Sequence, residues 1–188
     1  MNVYDFDKTI FYPDSSYCFV KYCLRHYPRA VLRAFPKTSL NGLLWMAKQA
    51  DTRQLKEYVF SFLPYLDNVD QIVLEFWDEY RGNMAPWYLE QRRPDDVIIS
   101  ASPEFLLKPI ADELGVELIA TRMDRQTGKI IGNNCHDSEK ICRFLKIHPG
   151  EHPETFYSDT LADSPMAWFS DEAWLVKDGK ELLPWPNK

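Results

Sequence analysis

VIISASPEFLLKPIADELGVELIA, residues 97–120, is the stretch from which the fold is read. It opens on Val97-Ile98-Ile99, a short apolar run of the kind found in strands buried within a parallel sheet. The residues from Pro103 to Leu114 predict a helix. Gly115 is its expected stop, because glycine adopts the left-handed conformation that ends helices at little cost. Val116 to Ala120 reads as a second strand. A strand, a helix and a strand in immediate succession form a βαβ unit, and such units build parallel sheets.

The same alternation continues downstream. Gln126-Thr127-Gly128-Lys129 reads as a tight turn with glycine at the positive-φ position. Asp137 is expected to cap a helix running to about Lys146. Glu154 to Tyr157 is a predicted strand, Leu161 to Phe169 a helix, and Ala173 to Val176 a last strand. Upstream, Asn2 to Tyr4 is a short strand leading into Asp5. Between that strand and Val97 the pattern is helical and broken by prolines. Asp14 stands at a helix start, and Tyr17, Val20, Cys23 and Leu24 follow at helical spacing. Pro28 is expected near the start of the next helix and Pro36 at its end. Leu40 to Gln49, Thr52 to Leu63 and Val69 to Tyr80 complete the helical block.

Composition divides along the same line. The chain has 188 residues with 45% apolar and 27% charged content, enough for one folded core and too ordered in composition for a disordered tail. The net charge of −6 argues against a general nucleic-acid binder. Residues 11–92 hold 17 of the 27 aromatic residues and carry 10 basic and 9 acidic residues, so the acidic excess belongs to the flanking pieces. From Ser15 to Ala50 there are six basic residues and no acidic one. Lys21, Arg25, Arg29, Arg33 and Lys37 recur every four residues, a stripe that Pro28 is expected to split over two helices. It reads either as a solvated face or as a contact for an anionic surface. No run of about 20 apolar residues is present, so no membrane span is expected. The start of the sequence has no secretory pattern, and Cys18, Cys23, Cys135 and Cys142 match no common zinc spacing. Free thiols and a cytoplasmic location are the expectation.

The chemistry sits at strand ends, where ligands of parallel sheets bind. Asp5 and Asp7 follow the first strand, Ser100 follows Val97-Ile98-Ile99, and Asp159 and Asp163 follow Thr155-Phe156-Tyr157. Lys140 lies near the start of the helix before that strand. Several carboxylates in one pocket repel unless a cation intervenes, and an all-oxygen set suits Mg²⁺.

Taken together, Asp5-Phe6-Asp7-Lys8-Thr9-Ile10, Ser100, Lys140 and Ser158-Asp159-Thr160-Leu161-Ala162-Asp163 resemble the four motifs of the haloacid dehalogenase (HAD) superfamily. Ile99 to Phe105 and Tyr157 to Pro165 resemble its phosphoserine-phosphatase-like branch, subfamily IB, with a type I helical cap. The resemblance implies an α/β fold: a Rossmann-like parallel-sheet core of residues 1–12 and 93–188, with a helical cap of residues 13–92 inserted after the first strand. It implies an Mg²⁺-dependent phosphomonoester hydrolase acting on a small phosphorylated substrate. Asp5 would be the nucleophile and Asp7 the general acid and base. Asp5, the Asp7 backbone carbonyl and Asp159 would hold Mg²⁺. Asp163 and Thr9 would support the site, and Ser100 and Lys140 would bind the phosphoryl group. Ser102 is a rival to Ser100. Asp14 is either a substrate contact or simply a helix cap, and Lys56 is a possible substrate contact.

Departures from the branch are Lys8 in place of a small residue, Ala101-Ser102 in place of Gly-Gly, and Ser158 before Asp159. They bear on the substrate more than on the chemistry. The alternatives are a membrane-surface lipid-phosphate phosphatase, as the similarity to phosphatidylglycerophosphate phosphatases implies, with weak anionic-membrane contact through the basic cap, or a phosphotransferase.

Overall fold

The computed structural model describes residues 1–34 and 51–186. The stop at Pro36, Lys37 and the helix expected over Leu40–Gln49 lie outside the described residues. Six strands form one sheet: β1 (Asn2–Tyr4), β2 (Val97–Pro103), β3 (Glu117–Thr121), β4 (Thr155–Ser158), β5 (Glu172–Lys177) and β6 (Glu181–Pro184). Their spatial order is β3-β2-β1-β4-β5-β6. All neighbouring pairs are parallel except β5 and β6. Helix α6 (Glu104–Leu114) makes the β2–β3 crossover and ends at Gly115, whose φ is +70°. The fold is thus the α/β sheet that residues 97–120 foretold.

The alternation of side chains along each strand separates two cores. Tyr4 and Ile98 face one way, joining Leu106, Leu107 and Ile110 of α6. Val3, Val97 and Ile99 face the other way, with Phe156 of β4. That second face is covered by Phe144 of α7 (Ser138–Ile147) and Met166 of α8 (Ser164–Phe169).

Between β1 and β2 the described elements are helical: α1 (Ser15–His26), α2 (residues 28–34), α3 (Thr52–Val59), α4 (Val69–Tyr80) and α5 (Pro86–Gln91), with two short 3-10 turns. Their aromatic residues extend the Tyr4 face of the sheet. Phe19, Phe60, Phe62, Phe76, Trp77 and Tyr88 are buried together. Trp77 donates its indole N–H to the Leu106 carbonyl of α6 at 2.6 Å, which satisfies a polar group that burial would otherwise penalise. Among the described residues, most of the aromatic rings of this block serve packing.

Several local expectations shift. Helix α1 buries Ser15, Cys18, Phe19, Tyr22 and Cys23, whereas Tyr17 and Leu24 of the expected stripe are exposed. Helix α3 ends at Val59 because the chain turns there to bury Phe60, Phe62 and Leu63. Asp137 holds the cap position of α7, but at φ +57° its side chain makes no capping bond. Helix α5 and strand β6 were not anticipated. The basic stripe is split at Tyr27, as Pro28 suggested. Arg25 pairs with Glu79 at 3.0 Å, and Arg33 lies 4.6 Å over the Tyr65 ring. The four cysteines are free thiols. Among the described residues no helix is long and apolar enough to cross a membrane.

Candidate active site

Strand β1 is central, with β2 on one side and β4 on the other. The chain passes from β1 to β2 and β3 on one side and then returns to β4 on the other, and a crevice opens at such a switch point beyond the strand ends. Asp5 is the first residue past β1, and its amide donates to the Tyr157 carbonyl of β4 at 2.8 Å. The carboxylate is therefore set against the neighbouring strand before any side-chain bond forms. Past it the chain reverses through Lys8, a non-glycine residue at φ +58°. The Lys8 amide donates to the carbonyls of Phe11 and Pro13 at 2.7 and 3.0 Å. That tight loop keeps Asp5 and Asp7 on the same crevice.

Lys140 reaches the site from α7 and is almost wholly buried. Its ammonium donates to Asp5 Oδ1 at 2.6 Å and Asp163 Oδ2 at 2.7 Å. The two carboxylates hold its pKa above the ordinary lysine value against the opposing effect of burial, so it is a permanent cation. Burial raises the Asp5 carboxyl while Lys140 pulls it back. Thr9 Oγ1 donates to Asp5 Oδ2 at 3.4 Å. Asp163 also accepts from Ser158 Oγ at 2.7 Å, and its Oδ1 is buried without a partner. The sequence resemblance puts Asp163 in support of the site, and in the structure its carboxylate is bonded to Lys140.

Asp159 follows β4. Its carboxyl is pushed up to about 6 by burial and then by the charge of Asp5, with Lys8 opposing. Asp5 and Asp159 carry charges that disfavour each other, the condition a cation relieves. Among the described residues no three His, Cys, Asp or Glu side chains are gathered as a ready metal cage. A hard ion such as Mg²⁺ needs only one or two carboxylates and keeps several waters. The donor set here, Asp5 and Asp159 with the orphaned Asp163 Oδ1 behind them, meets that requirement.

Asp7 lies in a shell of hydroxyls. The Ser15 amide donates to its Oδ1 at 2.6 Å, and Ser102 Oγ donates to its Oδ2. Ser15 Oγ and Ser16 Oγ stand 3.4 and 3.1 Å from Ser102 Oγ. Burial, followed by the nearby charge of Asp14, pushes the Asp7 carboxyl up to about 7, and the bonds from Ser102 and Ser15 pull it down. Strand β2 runs on past Ile99 to Pro103, so Ser100 is buried within it, at the last residue before its pairing with β3 becomes irregular, and its Oγ accepts from the Ser102 amide at 3.0 Å. The two serines are therefore not equivalent: Ser102 is committed to Asp7, and Ser100 sits beneath it in the strand.

Asp14 caps α1, accepting from the Tyr17 amide at 2.8 Å, and its charge also reaches Asp7. Lys56 comes down from α3. It donates to the Ala101 carbonyl at 2.5 Å and to Asn134 Oδ1 at 3.0 Å. Burial lowers it to about 8, opposed by Asp7, Asp14 and Asp5. Ser15, Ser16 and Asn134 had not been singled out from the sequence. A hydroxyl or amide carries no motif of its own and is seen only when the fold brings it to a charged partner.

Residues 3–167 match the model of the haloacid dehalogenase-like hydrolases. The chain is 29% identical over 195 residues to the protein CicA of Caulobacter vibrioides strain NA1000, covering 90% of this chain and 82% of that protein. A protein of unknown function from Bordetella pertussis Tohama I has a similar structure, with a TM-score of 0.75 and 21% identity, covering 92% of this chain and 87% of that one. A phosphoserine phosphohydrolase-like protein from Francisella tularensis SCHU S4 shares the fold at a TM-score of 0.57 and 16% identity, covering 92% of this chain and 86% of that one.

Proposed function

Because the chain belongs to the haloacid dehalogenase-like hydrolases, we propose that it is a phosphatase that cleaves small phosphomonoesters through an aspartyl-phosphate on Asp5. The observation that carries this reading is the grouping of Asp5, Asp7, Lys140 and Asp159 beyond the ends of β1 and β4, with Ser100 of β2 joined to Asp7 through Ser102. A carboxylate nucleophile, a second carboxyl near neutral pKa and a buried cation are what phosphoryl transfer requires.

In the first step an Asp5 oxygen attacks phosphorus as the ester P–O bond breaks. The bond's electrons leave with the alcohol oxygen, which takes the Asp7 proton. A carboxyl near 7 is matched to that role, since it is protonated often enough to give and basic enough to take back. In the second step Asp7 accepts a proton from water as the water oxygen attacks phosphorus. Asp5 is then released as a carboxylate, together with inorganic phosphate. Lys140 and the Ser100 hydroxyl bind phosphoryl oxygens, and Thr9 and Asp163 hold Asp5 and Lys140 in place. Mg²⁺, held by Asp5, Asp159 and the Asp7 carbonyl, would supply the charge that lets an anionic carboxylate approach an anionic phosphate. Residues 13–92 act as the cap that excludes water from this crevice.

Two of the five stripe cations, Arg25 and Arg33, are engaged within the protein. The soluble phosphomonoester reading is therefore taken to the test ahead of the membrane-surface and phosphotransferase readings. Asp5→Asn should abolish hydrolysis of an aryl phosphate while the melting temperature stays near wild type. Hydrolysis by that variant at the wild-type rate would overturn the mechanism, and full activity in EDTA would overturn the metal requirement.

A further inference from the structure

We infer that Asn134 is the positioning residue for Lys56, fixing its ammonium at the phosphoryl-binding end of β2; this rests on the phosphatase reading above. Asn134 belongs to no catalytic motif. It lies in the core segment between β3 and α7, and its Oδ1 accepts from Lys56 Nζ at 3.0 Å and from Thr121 Oγ1 at 2.9 Å. Thr121 is fully buried at the end of β3, and its Oγ1 accepts the Cys135 amide at 2.9 Å. The amide oxygen that meets Lys56 is thus anchored to the sheet itself.

The other Lys56 bond is to the carbonyl of Ala101, the residue between Ser100 and Ser102. Both acceptors are neutral, and among the described residues Lys56 forms no ion pair. An ammonium bonded only to neutral oxygens has no carboxylate to displace before it meets a third partner, and an incoming phosphate is the anion this crevice would receive. Two charged neighbours on the same face of α3 hold the helix in register. Arg53 donates to the carbonyls of Gly132 and Ile130 at 2.8 and 2.7 Å. Glu57 accepts from the Ile130 amide at 3.0 Å and from Lys129 at 2.9 Å. Residues 53, 56 and 57 are spaced i, i+3, i+4, so one helix face meets one core segment. The segment 129–134 therefore sets where the insert's cation lies relative to Ser100.

A double-mutant cycle tests this. Binding of inorganic phosphate is measured by titration calorimetry in magnesium buffer for wild type, Asn134→Ala, Lys56→Met and the double variant. Asn134→Ala should weaken phosphate binding about tenfold in the wild-type background, the size expected when a bond to a charged group is lost. With aryl phosphate it should raise KM more than it lowers kcat. In the Lys56→Met background the same change should have less than about a twofold effect, because a residue acting through Lys56 has nothing left to position. Equal effects in both backgrounds, no effect in either, or no phosphate binding by wild type would overturn the inference. Should Asn134→Ala fail to fold, Asn134→Ser replaces it, withdrawing the acceptor from Lys56 while staying polar. Phosphate binding is read without turnover, so failure here is distinguishable from failure of the phosphatase reading, which Asp5→Asn decides.

Discussion

Lys56 shows at the scale of one residue how burial and function oppose each other. Its pKa is lowered to about 8, foremost by desolvation, with Asp7, Asp14, Cys135 and Asp5 raising it. A lysine shifted in that direction is charged below about 8 and neutral above it. The KM for an aryl phosphate should therefore climb as pH rises past that point. In Lys56→Met, KM should be high throughout and lack this rise, and a variant that keeps the rise would remove Lys56 from binding. The effect on stability has the opposite sign. The folded pKa lies below the unfolded one, so the folded state binds this proton less tightly, and stability grows as pH rises between the two values. At pH 7 the charged, buried amine is a cost. Lys56→Met should melt no lower than wild type, and a clear fall in melting temperature would show that the methylene packing or the bonds to Ala101 and Asn134 dominate. Asp5, Asp7 and Asp159 were legible as candidates because they follow predicted strands, Ser100 because it follows the apolar run Val97-Ile98-Ile99, and Lys140 because it lies near the start of the helix before β4. Lys56 was only faintly legible, since its partners Ala101 and Asn134 lie 45 and 78 residues along the chain.

At the scale of elements, two predictions separate packing from chemistry. Asp14 caps α1 and also charges the surroundings of Asp7. Asp14→Ala removes both effects and should cost about 1 kcal/mol of stability. Asp14→Asn keeps the cap and removes only the charge. If Asp14 matters to substrate, both variants lose kcat/KM while only the alanine loses stability in urea melts; if it is simply a cap, the asparagine variant behaves as wild type. The hairpin turn at residues 126–129 is a packing device. Gly128 has φ +71°, and a Cβ there would stand 2.5 Å from the Phe60 carbonyl. Gly128→Ala should lower unfolding free energy by about 1–3 kcal/mol through backbone strain, with the clash adding to it. Unchanged stability would mean that the chain after α3 does not press on this turn. The sequence exposed this glycine but not the reason α3 stops at Val59. Phe60, Phe62 and Leu63 fit a helix as well as a turn, and only the buried positions they occupy choose between them. For the same reason the helical spacing of Tyr17, Val20, Cys23 and Leu24 did not by itself identify the buried face of α1. Two apolar stripes overlap there, and packing against Phe76 and Phe60 selects the one containing Phe19. Strand β6 had a signal in Asp178-Gly179, both at positive φ, the residue pair favoured in tight hairpin turns.

At the scale of the whole molecule the uneven charge becomes a statement about folding. The acidic pieces that flank the insert meet at the sheet ends, where Asp5, Asp159 and Asp163 face one fixed cation, Lys140. Folding therefore gathers carboxylates that the unfolded chain keeps apart. The raised pKa of Asp159, about 6, has a definite consequence. A carboxyl whose folded pKa exceeds its unfolded value contributes stability at low pH and loses it as pH rises through the folded value. Above about pH 6 the metal-free protein thus carries in full the cost of a buried Asp159 charge and its repulsion from Asp5. A divalent cation bound only by the folded state offsets it by mass action, with about 1.4 kcal/mol expected at ten times the dissociation constant. For a chain of this size that is an increase of about 3–6 °C in melting temperature. Magnesium should therefore raise the wild-type melting temperature at pH 7.5. Asp159→Asn should melt higher than wild type in EDTA, because the buried charge and its repulsion from Asp5 are gone, and should respond little to magnesium. A wild-type protein indifferent to magnesium, or an Asp159→Asn variant that responds as fully as wild type, would take the cation out of this site and leave Lys140 and Lys56 as the counter-charges for phosphate.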